Sequence, residues 1–329
     1  MTARIVVADW LWDGAWRADG ALYVADGVVR PAGEAEIAGA PAVRIAGSVL
    51  PPLTDFHVHL DLVDVVTVEQ GNLARMLDLG AHPEHARDRR AGGVGAVEVA
   101  IAGPIHTAPG GYPTTRPWAA DRMAREIPDA MAGGIAVAEA VELGADVIKI
   151  ALNSAIGPVW DDELLADVVR SAHDEDRRVV AHVEGEGQAL RAVDAGVDAL
   201  AHAPFSEALD DELLTRMVPV ISWISTLRIH TGRDRERAAG NLARFAELGG
   251  RILYGSDMGN GPTSGGVEHD ELEALAAAGL SGDAILGALT SDALLPRWGS
   301  TVSRAGDPWN GHGLAAWLDT VTPARGEDL

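Results

Sequence analysis

Two histidines stand one residue apart after an apolar run in the segment LPPLTDFHVHL, residues 50–60. In an extended strand, residues i and i+2 face the same side, so the imidazoles of His57 and His59 are expected to project together. Such a pair is typical of the first two ligands of a divalent metal ion. Because the chain contains no cysteine, the other ligands must be histidine, carboxylate or a modified side chain.

A lysine lies inside the otherwise apolar run ADVIKIAL. A buried ammonium ion is costly unless it is paired or chemically altered. Burial lowers the pKa of an amine, and a neutral Lys149 amine can add carbon dioxide to become a carbamate, which is able to bridge two cations. The alternative is an unmodified lysine whose ammonium group extends to the rim of the fold.

These residues predict a centre of two divalent metal ions, with zinc as the expected metal, bridged by N-carboxylated Lys149. The expected ligands of one ion are His57, His59 and Asp257, and those of the other are His182 and His202.

The elements that must position these ligands are strands that alternate with helices after residue 50. Eight strand-like runs follow one another: LTDFHVHL, LARMLDLG, AVEVAIAG, DVIKIAL, RVVAHVEG, DALAHAPF, PVISWISTL and RILYGSD. The second run could equally belong to a helix interrupted by Gly80 and Pro83. Eight such units predict an α/β fold of the (β/α)8 TIM-barrel type over residues 51–298.

The six candidate ligands all fall at or near the carboxyl ends of these runs. In a (β/α)8 barrel those ends form the face that carries the active site, so distant residues converge there. Before the barrel, residues 1–50 contain short β-rich pieces separated by Gly and Pro, which predict a small β-sandwich-like domain. Residues 299–329 are the candidate segment to join it.

Charge and hydropathy restrict the class of partner. The chain has 26 Lys and Arg against 49 Asp and Glu, a formal net charge of −23, which argues against nucleic acid or an anionic membrane as a partner. It contains neither the apolar stretch of a signal peptide nor one long enough to span a bilayer. We therefore expect a cytoplasmic protein with a small-molecule substrate, and a homo-oligomer is compatible with the sequence.

The runs GSVLPPLTDFHVHL and LYGSDMGNG, together with the Lys149 strand, His182 and His202, resemble the amidohydrolase superfamily, in its branch with a binuclear centre and a carboxylated lysine. More narrowly, GPIHTAPGGYP, GADVIKI, AHVEGEGQALRAVDAGVDALAHAPF and GGRILYGSDMG resemble its imidazolonepropionase-like and prolidase-like hydrolases. The resemblance covers roughly residues 4–295.

The resemblance implies that a hydroxide bridging the two metal ions attacks the carbonyl carbon of an amide, lactone or related C–N or C–O bond, dipeptides included. Asp257 is implied as both metal ligand and general base. Either Tyr112 or His106, in the segment after the third strand, is implied as a donor to the carbonyl oxygen.

Near the seventh strand, Arg228, Trp223 and His230 are candidate substrate-binding residues, with Arg228 as a partner for a substrate carboxylate. Trp118 and Trp160 are candidate walls of an aromatic pocket. The chain departs from the prolidase-like pattern at Glu184, where relatives often carry a histidine, and in its C-terminal segment.

Two other readings stay open. A mononuclear zinc deaminase of aminated heterocycles would keep His57, His59, His182 and Asp257 as one metal site and leave Lys149 unmodified. Such enzymes commonly place a glutamate three residues after the fifth-strand histidine, where this chain has Gly185. A non-catalytic barrel that only binds a ligand would be expected to lack a ligand or the base.

Overall fold

The strands fall into three sheets in the computed structural model, which describes residues 3–39, 41–119, 122–309 and 313–329. The strands are β1 (Arg4–Trp12), β2 (Trp16–Ala25), β3 (Val28–Pro31), β4 (Ala42–Leu50), β5 (Thr54–Val58), β6 (Arg75–Asp78), β7 (Glu98–Ile101), β8 (Ile105–Thr107), β9 (Ala124–Glu126), β10 (Val147–Asn153), β11 (Arg178–Glu184), β12 (Ala199–Leu200), β13 (Ser222–Ile224), β14 (Arg251–Leu253), β15 (Thr301–Ala305) and β16 (Thr322–Arg325). Helices separate most of the later strands, so the fold is α/β.

The helices are α1 (Glu34–Gly39), α2 (Val65–Glu69), α3 (Pro83–Gly92), α4 (Ala130–Leu143), α5 (Asp162–Asp174), α6 (Gln188–Asp194), α7 (Asp211–Met217), α8 (Gly232–Glu247), α9 (His269–Ala277), α10 (Gly282–Leu289) and α11 (Leu314–Leu318). Short 3-10 helices occur at Leu60–Leu62, Leu227–Ile229 and Gly326–Asp328. The helix α5 begins at Asp162, directly after Asp161, whose side chain caps the helix by accepting a hydrogen bond from the Leu164 N–H. Within the described residues, no helix has both the length and the hydropathy needed to cross a bilayer.

The six-stranded sheet combines both ends of the chain in the order β16-β15-β4-β1-β2-β3. β1 pairs antiparallel with β2 and parallel with β4, and β15 pairs antiparallel with β4. Sequence alone predicts a sandwich-like unit formed mainly by residues 1–50. The structure has one mixed sheet, in which the C-terminal strands β15 and β16 extend the edge that β4 offers. The domain boundaries stay a prediction.

The other two sheets are parallel and lie edge to edge. One has the order β14-β13-β12-β11-β10-β8-β9, and the other has the order β5-β6-β7. They meet where the Phe56 N–H donates to the Tyr254 carbonyl at 2.9 Å, and where the Asp146 N–H donates to the Ile101 carbonyl at 2.8 Å. Each of the eight predicted runs contains one strand of these sheets, including β6, for which a helix was the alternative.

A small apolar core is enclosed by the strands of these two sheets. β5, β6, β7 and β10–β14 each contribute buried side chains to it, and the segment 293–295 closes one end. The strand residues of this core are Phe56, Leu77, Ala100, Val147, Val180, Ala199, Ile224 and Leu253. Because neighbouring residues of a strand face opposite sides, the positions next to these face the surrounding helices. This alternation decides which polar side chains can meet at the carboxyl ends of the strands.

Candidate metal centre

One cavity of about 370 Å³ opens at the carboxyl ends of the parallel strands. It is lined by all six residues that the sequence predicts as metal ligands: His57, His59, Lys149, His182, His202 and Asp257. All six are buried, although they come from five different strands or the segments that directly follow them. The structure therefore brings together the whole predicted set.

The first strand orients its two histidines toward each other. The Nε2 atoms of His57 and His59 lie 3.3 Å apart. Nδ1 of His57 lies 2.7 Å from the Ala201 carbonyl oxygen, and Nδ1 of His59 lies 3.2 Å from that of Gly80. Because a carbonyl oxygen only accepts, each Nδ1 must carry the proton, which leaves each Nε2 with a free lone pair. This is the tautomer that a metal ligand requires.

His202 lies beside His57 in the same cavity. Its Nδ1 lies 2.8 Å from the Thr226 hydroxyl oxygen, and its ring centroid is 4.7 Å from that of His57. Donor atoms of His57, His202 and Asp257 all lie within 4.8 Å of one another. The sequence prediction paired His202 with His182, whose ring centroid lies 5.0 Å from that of His202, so the distribution of the ligands between two ions stays a prediction.

Asp257 supplies the carboxylate of this group. Its Oδ1 lies 3.3 Å from Nε2 of His57 and 3.6 Å from Nε2 of His59, while the Asn260 side-chain amide donates to Oδ2 at 3.1 Å. Burial raises the pKa of Asp257, but the two histidines and Asn260 together hold it below its ordinary value. The carboxylate is therefore ionised at neutral pH.

The Asp55 carboxylate connects the two segments that carry His57 and Asp257. Asp55 Oδ1 accepts the His57 N–H at 3.0 Å and the Ser256 N–H at 3.1 Å, and its Oδ2 accepts the Ser256 hydroxyl at 2.5 Å. Asp55 is fully buried. It fixes the segment before His57 against the segment before Asp257, and so sets the distance between the two ligands.

Lys149 lies on β10, and its Nζ atom is buried without a hydrogen-bond partner in the described structure. Burial lowers its pKa to about 7, against the opposing attraction of Asp257. Lys149 is also the only lysine in the chain; all other members of its 26 Lys and Arg residues are arginines. An unpartnered, partly neutral amine in a cavity of ligands has the chemistry needed for carbamate formation.

His182 completes the set on the side of the fifth parallel strand. Its Nε2 lies 3.4 Å from Glu184 Oε2 and 3.4 Å from Asn153 Nδ2, and Asn153 donates to Glu184 at 2.6 Å. Burial lowers the pKa of His182 below its ordinary value. Glu184, which the sequence marks only as a departure from relatives, therefore contacts a predicted ligand.

The cavity fits a divalent metal centre. Burial lowers the pKa of all four histidines, so each imidazole is neutral at pH 7 and retains a nitrogen lone pair. Four neutral imidazoles, one ionised carboxylate and one unpartnered amine form a nitrogen and oxygen donor set that suits zinc.

The two candidate carbonyl donors are separated by the structure. Tyr112 lines the cavity, and its ring stacks on His182 with centroids 4.9 Å apart. Burial raises the pKa of its phenol well above the ordinary value, so the hydroxyl keeps its proton. His106 lines a different cavity of about 380 Å³, and its Nδ1 lies 3.1 Å from the Lys149 carbonyl oxygen. The structure therefore places His106 outside the cavity that the predicted ligands line.

The predicted substrate-binding residues near the seventh strand lie elsewhere. Trp223 is fully buried and stacks on Phe245 with centroids 4.0 Å apart, so the structure places it outside the cavity. It faces outward because its neighbour Ile224 faces the enclosed core. Each guanidinium nitrogen of Arg228 donates to a protein oxygen, so the described structure engages the group that was predicted to bind a substrate carboxylate.

His230 stays a candidate for substrate binding. It is buried, its ring centroid is 6.1 Å from that of His202 and 4.2 Å from that of Phe205, and its Nε2 has no partner among the described residues. Of the predicted aromatic walls, Trp118 lines the cavity, whereas Trp160 is buried and donates to the Ile127 carbonyl.

Five further lining residues are absent from the sequence-based prediction: Leu62, Ile105, Ala151, Gly259 and Asn260. Asn260 carried a weak signal, because it follows Asp257 in the glycine-rich run SDMGNG. The apolar lining residues carried no such signal, since other residues of similar hydropathy give the same pattern in the sequence.

Known proteins are similar to this chain in sequence and in fold. The chain matches none of the known family models. An uncharacterized protein of Mycobacterium tuberculosis is 27% identical over 317 residues, covering 84% of this chain and 80% of that protein.

Two solved structures cover nearly the whole chain. Aspergillus niger ochratoxinase has a TM-score of 0.77 at 18% identity, and the match covers 99% of this chain and 95% of the ochratoxinase chain. A crystal structure of an amidohydrolase has a TM-score of 0.71 at 15% identity, and the match covers 99% of this chain and 98% of the amidohydrolase chain. At these identities the comparison shows the fold alone, which this chain shares with the solved amidohydrolase and with ochratoxinase.

Proposed function

We propose that the protein is a metal-dependent hydrolase that cleaves an amide, lactone or related C–N or C–O bond of a small molecule. The observation that carries the proposal is the unpartnered Nζ of Lys149 in a cavity with neutral histidines and the ionised Asp257. The fold shared with a solved amidohydrolase agrees with it.

The proposal includes closure of the two parallel sheets into one (β/α)8 barrel. Support comes from the hydrogen bond between Phe56 and Tyr254, from the parallel bridge between Val58 and Met258, and from the apolar core that eight strands share. In a barrel of this kind, the face that carries the carboxyl ends of the strands carries the chemistry. The cavity lies on that face.

His57, His59, Lys149 as a carbamate, His182, His202 and Asp257 would hold two divalent ions, with zinc as the expected metal. When bound, such ions supply Lewis acidity, which lowers the pKa of a water molecule and polarises the scissile carbonyl. The backbone carbonyls of Ala201 and Gly80 hold two of the imidazoles in the tautomer that binds metal.

Asp257 is proposed as the general base. Its depressed pKa keeps it ionised, and the amide of Asn260 holds Oδ2 while Oδ1 faces His57 and His59. The carboxylate would take a proton from the attacking water and deliver it to the leaving group. Tyr112, which stays protonated, would donate a hydrogen bond to the carbonyl oxygen as negative charge develops there.

The Tyr112→Phe variant tests this donor. We expect kcat to fall on the order of 100-fold, because removing one oxyanion donor costs about that much, while KM and metal content change little. The matched control is Tyr23→Phe in β2, far from the cavity, which should leave kcat unchanged. Unchanged kcat in Tyr112→Phe would leave carbonyl activation to the metal alone.

A mononuclear deaminase is the second candidate. The compact group of His57, His202 and Asp257 suits one metal ion, and Glu184 lies 3.4 Å from His182, near where a proton-shuttling carboxylate would act. In that case Lys149 would remain an unmodified amine.

The experiment that tests the proposal is a turnover screen of the zinc-loaded protein prepared with bicarbonate. Amides, lactones and dipeptides form one panel, and aminated heterocycles form the other. Hydrolysis in the first panel that a chelator abolishes is the expected result. Ammonia release confined to the second panel would replace the proposal with the deaminase, and no turnover in either panel would contradict both.

A further inference from the structure

The loop between β14 and α9, residues 254–268, carries Asp257 in an unusual backbone conformation. Asp257 has a φ of +53°, a left-handed value that residues with a side chain rarely adopt. The loop also contains glycines at 255, 259, 261, 265 and 266. A conformation of this kind persists only where the surroundings hold it in place.

Arg228 holds this loop on both sides of Asp257. Its side chain is only 11% exposed. One terminal nitrogen donates to the Ser256 carbonyl at 3.4 Å, and the other donates to the Pro262 carbonyl at 2.8 Å. Its Nε donates to Asp270 at 3.1 Å, which connects the same guanidinium to the start of α9.

The backbone of Arg228 is itself held by a hydrogen bond to α9. Its backbone N–H donates at 2.7 Å to a carboxylate oxygen of Glu271, which is fully buried on α9. The N–H of Thr226, two residues before Arg228, donates to the Gly255 carbonyl at 3.1 Å. The backbone that follows β13 therefore also contacts the loop directly. A planar guanidinium with five donors can bridge two carbonyls and a carboxylate at once, whereas a lysine ammonium cannot reproduce that fork.

We propose that Arg228 is a positioning residue for Asp257: it clamps the loop before and after Asp257 and so holds the carboxylate against His57 and His59. The inference rests on the proposed function, in which Asp257 is ligand and base. It assigns Arg228 a role different from the substrate contact that its place in the sequence suggests.

The test compares Arg228→Ala and Arg228→Lys with Arg244→Ala. Arg244 is a matched control because it also bridges a backbone carbonyl, that of Leu209, and a carboxylate, that of Asp211, but it does so on α8 away from the loop. The readouts are hydrogen exchange of residues 255–268, zinc affinity measured by chelator competition, and kcat and KM separately.

In Arg228→Ala we expect exchange in the loop to rise at least tenfold, and zinc affinity and kcat each to fall about 10- to 100-fold, the usual cost of removing a group that orients a ligand. KM should change less than threefold. Arg228→Lys should lie between the two, and added guanidinium should restore part of the kcat of Arg228→Ala. Arg244→Ala should leave loop exchange, zinc affinity and kcat unchanged.

Unchanged loop exchange in both Arg228 variants would overturn the clamp. Faster exchange with unchanged zinc affinity and kcat would overturn the positioning of Asp257. If the wild-type protein neither binds zinc nor hydrolyses any substrate, the proposed function fails, and the exchange data still decide whether Arg228 clamps the loop. Should Arg228→Ala not fold, Arg228→Lys provides the same comparison.

Discussion

Replacing Lys149 by alanine is expected to abolish hydrolysis and to remove most of the bound zinc. In the proposed centre Lys149, as a carbamate, would help to hold the metal ions, and no other side chain could supply this group, because the chain has a single lysine. The Nζ of Lys149 has no other partner in the described structure, so its loss breaks no hydrogen bond. We expect kcat to fall by on the order of 1000-fold or more, as for loss of a main electrostatic element.

Added acetate or propionate provides the sharpest check of the Lys149 prediction. A short carboxylate can occupy the space that the alanine variant opens and should partly restore metal content and kcat. Lys149→Met is the matched control, because it keeps an apolar stem of similar volume and should lose activity without rescue. A Lys149→Ala variant with full zinc content and full kcat would contradict the carbamate.

The Asp257→Asn variant should still bind metal but lose most of its turnover. The amide keeps an oxygen that can ligate, whereas it cannot accept a proton, and general-base catalysis contributes about 10²- to 10⁴-fold. We therefore expect kcat to fall within that range while zinc content stays near the wild-type value. Metal content and kcat measured on the same preparation separate these two roles.

Asp283→Asn is the control for Asp257→Asn, because Asp283 lies exposed in the first turn of α10. It removes the same charge from the protein and should change neither quantity. If Asp257→Asn retains full turnover, another residue is the base. Glu184, beside His182, is then the next residue to replace.

The grouping of the candidate ligands in one cavity was predictable from sequence because each of them lies on, or shortly after, a strand of a repeating pattern. Parallel strands bring their carboxyl ends to one face whatever the separation along the chain. Residues as distant as His57 and Asp257 therefore meet without any local signal that connects them. The distribution of ligands between two metal ions was less predictable, since it depends on distances across the cavity, where His202 approaches His57.

His106 and Trp223 lie outside the cavity for one shared physical reason, the alternation of side chains along a strand. His106 and Trp223 each lie beside a residue that faces inward, Ile105 and Ile224 respectively. A shift of one residue exchanges the inner and outer faces, and sequence alone does not fix that register in runs this short. The contacts of Arg228 were not predictable for another reason, because its carbonyl partners belong to a loop whose path no sequence pattern predicts, and its carboxylate partner lies on α9.

The metal content of the wild-type protein tests the central claim most directly. The protein would be expressed with zinc and bicarbonate, dialysed, and measured by plasma mass spectrometry against its concentration. The account predicts close to two zinc equivalents per chain. One equivalent or fewer, in protein that is folded and prepared in this way, would contradict the binuclear centre built around Lys149.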